Sequence, residues 1–425
     1  MEQGACETWR MTSTSNVVPL REYRPKTVPN QKIGLPQGEL LWRKYGKFVK
    51  VEFPSPQTKN DWRLTPQGYV GQIKLDDLEL RLYPKIGLDN LFGMLEYAYD
   101  LNLRIGESEV SLASMSDIFE RLSVILAKRI NARIQKGLYR AYVKREERLS
   151  FVRGRIDLQK QVRRGWDPVV HCRFEEHTPD VIENQILFQA LVTILRTGIC
   201  SDRTLPTIRK AYRGLKSVVA EMSFAARDCV RQDYNRLNFD YKPAHSICRF
   251  ILEHTGPTHK AGDRNMLPFL VNMNSLYEKF VAQWLATNSP EHWTFDPHET
   301  VTFGEDNQIQ FDIDMVLRDR NAQPIAVLDT KYKSPESAST NDIFQVIAYA
   351  EAMNCTDAFL VYPKQLPSEL DIQVGKIRVR SVKFGIKGDL EMKGRAFLER
   401  MSQCLNPNDF SLLVLRDLAK RSPLI

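Results

Sequence analysis

Residues 309–333 read IQFDIDMVLRDRNAQPIAVLDTKYK, and this stretch decides the fold that we predict for the chain. Two apolar runs, at 309–317 and 324–331, flank a polar turn, which predicts two adjacent interior strands. The short connection favours antiparallel pairing. A helix expected over 342–353 and a strand over 358–362, stopped by Pro363, complete an α/β core with helices packed on a mixed sheet.

Charged residues interrupt both apolar runs. Side chains alternate along a strand, so Asp329 and Lys331 project from the same face, and antiparallel pairing brings Asp314 towards Asp329. Two convergent carboxylates repel each other, and one ammonium group cannot neutralise both. A hard divalent cation with oxygen ligands relieves this repulsion. We therefore expect Mg²⁺ here, with Mn²⁺ as the alternative ion, while a structural salt bridge is the alternative interpretation of the Asp329–Lys331 pair.

The spacing of Asp314, Asp329 and Lys331 resembles that of the PD-(D/E)-x-K nucleases. In that chemistry the lysine orients or activates the attacking water and stabilises the charge that develops on phosphorus. The sequence thus predicts metal-dependent hydrolysis of phosphodiester bonds, with both aspartates as metal ligands.

Further candidate site residues lie on the predicted helices. Gln345 and Tyr349 are four residues apart on one helical face, which predicts contact with the site or with DNA; a partly exposed helix is the alternative. Glu278 lies in a helix expected over 275–287, where nuclease cores of this type often supply another carboxylate. A surface glutamate paired with a neighbouring lysine is the alternative for Glu278.

The charge of the chain is unevenly distributed. Its 425 residues carry a net charge of +8, and residues 128–164 alone contain 13 Lys and Arg against three acids. We call this segment the basic block. Such a block predicts binding to a phosphate backbone. A solvated basic face and a docking surface for an acidic partner are the alternatives.

Composition excludes several other classes of protein. No run of about 18 apolar residues is present to span a membrane, and the first residues do not resemble a secretory signal. Seven scattered cysteines without a C-x-x-C pair predict free thiols in a reducing cytoplasm rather than a zinc cluster. The seven histidines lack metal-ligand spacing, and His171 and His177 are expected at surface or packing positions.

The chain is expected to be a multidomain α+β protein. Residues 1–20 are predicted to be a disordered tail, 21–87 an N-terminal β module, 88–265 a helical region and 266–425 the nuclease domain. Within the helical region, Asp117 and Glu120 have the spacing of a capping box at the start of an amphipathic helix that ends near Gly137.

Several segments together resemble McrC, the nuclease subunit of McrBC modification-dependent restriction systems. The similarity covers about residues 20–400 and rests on these motifs: LYPKIG at 82–87, KGLYRAY at 136–142, VRGRID at 152–157, LYEKF at 276–280, IDMVL at 313–317, LDTKYK at 328–333, DIFQVIAYA at 342–350 and VYP at 361–363. The chain departs from the family at Ile313, where proline is common, and at Thr330, where alanine is common. The resemblance implies that the Thr330 backbone carbonyl is a metal ligand.

The resemblance also implies partners. McrC acts with McrB, an AAA+ GTPase hexamer, on double-stranded DNA that carries a modification such as methylation, and the β module and helical region dock it to that hexamer. No G-x-x-x-x-G-K-(S/T) motif is present, so this chain is not expected to bind a nucleotide itself. A scaffold that chiefly stimulates the GTPase, and a stand-alone repair or junction nuclease, are the alternative functions.

Overall fold

The fold is described from a computed structural model. It describes residues 16–75, 78–103, 114–162, 168–230, 232–255, 267–303, 308–333 and 335–405. Residues 1–15 of the expected tail lie outside the described residues. Residues 16–20 belong to a strand rather than to a tail.

Strands and helices are interspersed along the chain. The strands are β1 (Asn16–Arg21), β2 (Lys26–Val28), β3 (Val49–Glu52), β4 (Trp62–Pro66), β5 (Tyr69–Leu75), β6 (Leu78–Tyr83), β7 (Ala141–Leu149), β8 (Arg155–Ile156), β9 (Val170–Thr178), β10 (Phe269–Asn272), β11 (Thr294–Phe303), β12 (Ile309–Arg318), β13 (Pro324–Thr330), β14 (Asp357–Tyr362), β15 (Asp371–Val374) and β16 (Ile377–Lys383). The α-helices are α1 (Leu35–Tyr45), α2 (Leu88–Tyr99), α3 (Met115–Lys136), α4 (Leu158–Val162), α5 (Ile182–Thr197), α6 (Leu205–Lys216), α7 (Lys242–His254), α8 (Met273–Asn288), α9 (Thr340–Ala352) and α10 (Leu390–Leu405).

The chain divides into two compact units, each built from three separate segments. The first comprises Met1–Val18, Gly71–Arg81 and Leu101–Leu270, and the second Pro19–Val70, Leu82–Asp100 and Val271–Ile425. A four-stranded sheet has the strand order β1-β6-β5-β10.

The first unit is mainly helical, and its long helix α3 begins earlier than expected. Ser114 is the N-cap, because its Oγ accepts a hydrogen bond from the Asp117 backbone N–H at 3.2 Å and its own N–H donates to Asp117 Oδ2 at 2.9 Å. This is a capping box with the acid at the third helical residue. The expected pairing of Asp117 with Glu120 is therefore wrong; Glu120 accepts from the Ser201 backbone N–H at 2.9 Å.

The first unit also contains a sheet that the sequence did not predict. Strands β7, β9 and β8 form it in that order, and β9 pairs with both neighbours in antiparallel fashion. The β7 sequence AYVKREERL is largely charged and has no buried side chain, so no hydrophobic alternation reveals it.

The second unit contains two sheets. The smaller one, of order β2-β4-β3, belongs to the predicted β module and is accompanied by α1, a helix that the sequence did not predict. Trp62 of β4 is fully buried, and its Nε1–H donates to the Ile33 carbonyl at 2.9 Å.

The larger sheet has six strands in the order β11-β12-β13-β14-β16-β15. β12 lies antiparallel between β11 and β13, while β13, β14 and β16 run parallel. The predicted antiparallel pairing of residues 309–317 with 324–331, and the mixed character of the sheet, are therefore confirmed. Helix α9 packs on one face through Val346 and Ala350, against Val327 and Leu360.

An aromatic cluster packs α8 and α10 against the region that follows β16. Phe384 is fully buried, and its ring lies 5.2 Å from Phe280, 5.3 Å from Trp284 and 5.0 Å from Phe397, measured between ring centroids. The Tyr277 hydroxyl donates to the Phe384 carbonyl at 3.0 Å. These contacts fix α8, the helix that carries Glu278.

Membrane spans and cysteines are two further features on which the sequence made a prediction. In the part of the chain that the structure describes, no helix is both long and apolar enough to cross a membrane. The six cysteines within this part are free, as predicted, and Cys6 lies outside it.

Replacing Phe384 by alanine is expected to destabilise the second unit by about 3–5 kcal/mol, because the large buried ring leaves a cavity between two helices. Urea unfolding followed by tryptophan fluorescence measures the loss. Phe344→Ala is the matched control, since that ring is 65% exposed, and its midpoint should stay unchanged. Equal midpoints for both variants would contradict the packing described here.

Candidate catalytic site

The register of β12 and β13 brings the two predicted aspartates together. Met315 pairs with Leu328, so the next pair along the antiparallel ladder is Asp314 and Asp329. Asp314 Oδ2 accepts hydrogen bonds from the Thr330 backbone N–H at 2.7 Å and from Thr330 Oγ1 at 2.9 Å. Asp314 is therefore fixed against the end of β13, next to the residue that carries the second carboxylate.

Lys331 links the carboxylates to helix α9. Its Nζ lies 2.7 Å from Asp329 Oδ2 and donates to Gln345 Oε1 at 3.0 Å. Gln345 Nε2 in turn donates to the Tyr349 hydroxyl at 2.7 Å. The salt bridge considered as an alternative is thus present, but it is one part of a polar chain that unites four of the predicted site residues. We call Asp329, Lys331, Gln345 and Tyr349 the polar chain.

Burial perturbs the ionisation of this cluster. Asp329 is 1% exposed, and burial, followed by repulsion from Asp314, raises its pKa to about 7 although Lys331 acts in the opposite direction. Burial and then the charge of Glu278 raise the pKa of Asp314. Burial disfavours the charge of Lys331, but Asp329 and Asp314 outweigh it and raise the pKa of the ammonium group. The site therefore holds excess negative charge in a poorly solvated position.

Glu278 completes the acidic side of the site, and it has a partner that the sequence did not indicate. His298 Nδ1 lies 3.2 Å from Glu278 Oε1. This contact becomes an ion pair when His298 is protonated. The hydrogen bond to Glu278 raises the pKa of His298, against the effect of burial. No spacing rule points to His298; only the pairing of β11 with β12 places it near Asp314.

The segment after Lys331 is held by a cluster in which Glu22 and Tyr332 are buried and Lys85 is exposed. Tyr332 is 2% exposed, and Lys85 Nζ donates to its carbonyl at 3.1 Å while lying 4.0 Å from the centre of its ring. The Lys85 backbone N–H donates to the buried Glu22 carboxylate at 3.3 Å. Residues of the β module thereby fix the end of the strand that carries Lys331.

The site offers few side-chain donor atoms to the expected metal ion. Among the described residues, no group of three Asp, Glu, His or Cys side chains is arranged to hold a metal. Mg²⁺ does not require one, because it commonly keeps several waters and binds through one or two carboxylates. Asp314 and Asp329 supply two such carboxylates, and their raised pKa values show that negative charge there lacks compensation. The residues therefore fit a hydrated divalent cation.

Comparison with known proteins agrees with the earlier resemblance. The family model described as "McrBC 5-methylcytosine restriction system component" matches residues 64–363. The Escherichia coli (strain K12) protein described as "Type IV methyl-directed restriction enzyme EcoKMcrBC" is 21% identical over 313 residues, which cover 66% of this chain and 86% of that protein.

A solved structure shares the fold. It is described as a "refined half-complex from tetradecameric assembly of Thermococcus gammatolerans McrB AAA+ hexamers with bound McrC", and the match has a TM-score of 0.54 at 16% identity, covering 91% of this chain and 100% of that chain. The fold and site define an α+β chain with a buried acid–lysine centre. This chain belongs to the McrBC 5-methylcytosine restriction system component family, and the predicted resemblance to McrC is confirmed.

The raised pKa of Asp329 predicts a pH dependence of stability. A carboxyl that titrates near pH 7 when folded and near 3.8 when unfolded favours the native state at low pH, and this contribution is lost as pH rises through 7. In EDTA, the free energy of unfolding should therefore fall by about 1.4 kcal/mol more in the wild type than in Asp329→Asn between pH 6 and pH 8.

Chemical unfolding at the two pH values measures this difference, and titrating groups that do not interact with Asp329 cancel in the comparison. Adding Mg²⁺ at pH 8 should restore stability to the wild type and have little effect on Asp329→Asn. Identical pH profiles for the two proteins would show that Asp329 is not the destabilising charge.

Proposed function

We propose that this chain is the DNA-cleaving subunit of a McrBC-type restriction complex and hydrolyses phosphodiester bonds with Mg²⁺ or Mn²⁺. The observation that carries the proposal is the polar chain from Asp329 through Lys331 to Gln345 and Tyr349, adjoining Asp314. A salt bridge that served only stability would need one carboxylate, whereas the charges of Asp314 and Asp329 both act on this one ammonium group.

In this proposal each residue has a defined task. Asp314, Asp329 and the Thr330 carbonyl would hold the cation, and Glu278 adds a negative charge that acts on Asp314. When bound, the cation would supply charge neutralisation and a water of lowered pKa. Lys331 holds the attacking water and faces the charge that develops as a new water–phosphorus bond forms and the bond to the leaving sugar oxygen breaks. Gln345 and Tyr349 keep the ammonium group in place.

The partner and the substrate follow from the family. The E. coli relative is described as methyl-directed, and the archaeal structure as McrB AAA+ hexamers with bound McrC. We propose that this chain likewise assembles with a McrB-like AAA+ GTPase hexamer, stimulates its GTPase and cleaves methylated double-stranded DNA. Family membership favours this function over a stand-alone repair or junction nuclease.

A second function is favoured by one observation. Residues of the β module, Glu22 and Lys85, fix Tyr332 beside Lys331, so a partner bound to that module would affect the site directly. A chain whose main role is to stimulate the GTPase would keep such coupling after losing cleavage.

The two functions are separated by Lys331→Ala. We expect DNA cleavage by the purified complex to fall at least about 100-fold, because the group that faces the transition-state charge is removed. Stimulation of the partner GTPase should be unchanged, since Lys331 lies in the polar chain and not in the β module or helical region, which are expected to dock the partner. Asp329→Ala should behave in the same way.

Lys376→Ala is the matched control, because that lysine is exposed and pairs with Glu351 away from the polar chain. Its cleavage rate should equal that of the wild type. Cleavage that persists in Lys331→Ala would refute the catalytic assignment, while a wild-type complex with GTPase stimulation but no cleavage would favour the scaffold function.

The role of helix α9 is tested by a double-mutant cycle. Gln345→Ala removes an acceptor from Lys331, and Tyr349→Phe removes the hydroxyl that orients Gln345, so each should lower the cleavage rate by roughly tenfold. Because the two residues act through one chain of hydrogen bonds, the double variant should lose little more than Gln345→Ala alone. Additive losses would indicate independent roles.

A further inference from the structure

His298 lies opposite Asp314 in the sheet although it was not among the predicted site residues. The register of β11 and β12 pairs Pro297 with Met315 and Glu299 with Ile313, which leaves His298 facing Asp314. The charge of Asp314 also acts on the His298 ring, which places the imidazole near the carboxylate that we assign to the site.

The backbone at His298 has a conformation that side-chain-bearing residues seldom adopt. Its φ is +56°, in the left-handed region, although it lies inside a strand. The regular pairs on either side, at Pro297 and Glu299, confine this conformation to a single residue. Such strain persists only where the surroundings impose it, and it concentrates at functional sites.

One ring nitrogen of His298 is paired with a carboxylate, although much of the side chain is exposed to solvent. Nδ1 lies 3.2 Å from Glu278 Oε1, while the side chain as a whole is 58% exposed. Glu278 comes from a different element, helix α8, and its own side chain is 24% exposed. Its charge is felt at Asp314. The imidazole thus contacts a partly exposed glutamate whose charge acts on the site carboxylate.

From this geometry we infer that His298 is a positioning residue, whose left-handed backbone directs the imidazole to hold Glu278 beside Asp314. The inference rests on the proposed DNA cleavage, because Glu278 is an acid whose charge acts on Asp314, a proposed ligand of the catalytic cation. Nothing in the spacing of the motif residues assigns this role, which arises from the contact between β11 and α8.

Three substitutions at His298 test the inference in the full complex with its AAA+ partner and methylated duplex DNA. His298→Ala and His298→Gly both remove the contact to Glu278 and should lower kcat about tenfold with little change in KM. His298→Asn should stay within roughly threefold of the wild type, because asparagine tolerates the left-handed region and its amide can donate to Glu278.

Stability supplies a readout that does not depend on activity or on metal. His298→Gly should melt about 2–4 °C above His298→Ala in EDTA, since only alanine retains a Cβ in the left-handed region. If His298 served stability alone, cleavage would follow melting temperature and the glycine variant would be the more active of the two. Equal losses of cleavage despite unequal stability are the result that we expect.

Ala322→Gly is the control for relief of strain. Ala322 has φ +59° in the turn between β12 and β13, at the opposite end of the hairpin from Asp314, and its replacement should raise stability without altering cleavage. Wild-type cleavage by His298→Gly would overturn the inference while leaving the proposed function intact. A wild-type complex that cleaves no DNA would overturn the proposed function itself, and the positioning role with it.

Discussion

The arrangement of the second unit depends on two like charges, Asp314 and Asp329, held side by side where water is scarce. Such a pair is unfavourable by itself, since burial and mutual repulsion both oppose ionisation. The antiparallel register forces the two residues together, and the apolar positions between them keep that register from slipping, because a shift of one residue would turn the apolar face to solvent. Thr330 supplies hydrogen-bond donors to this pair, and Lys331 supplies a cation.

Those compensating groups come both from residues next to Asp329 and from more distant parts of the chain. Thr330 donates twice to Asp314, and Lys331 pairs with Asp329 while helix α9 holds its ammonium group through Gln345. Behind the strand, Tyr332 is fixed by Lys85, a residue of the β module. The sheet alone would leave Lys331 at a free strand end with several rotamers. The surrounding elements select one of them, which is the meaning of preorganisation in such a site.

Sequence patterns revealed the parts of this structure that hydrophobic residues determine. The apolar runs around Asp314 and Asp329 gave both strands and their antiparallel pairing, and the spacing of Gln345 and Tyr349 gave the helical face. Strand β7 remained hidden because its side chains are nearly all solvated. His298 remained hidden for a different reason: its position follows from a cross-strand register and a left-handed backbone, neither of which leaves a local signal.

The basic block shows why charge counted along a sequence differs from charge presented by a fold. Arg173 of β9, outside the block, lies 3.0 Å from Glu146 and 2.7 Å from Asp157, and Lys160 pairs with the same two acids. Arg145 and Arg153 of the basic block pair with Glu176 and Asp180, which lie outside it. Part of the charge therefore stabilises a sheet whose strand β7 buries no side chain. The count of Lys and Arg along residues 128–164 thus overstates the positive charge that the sheet presents to a phosphate backbone.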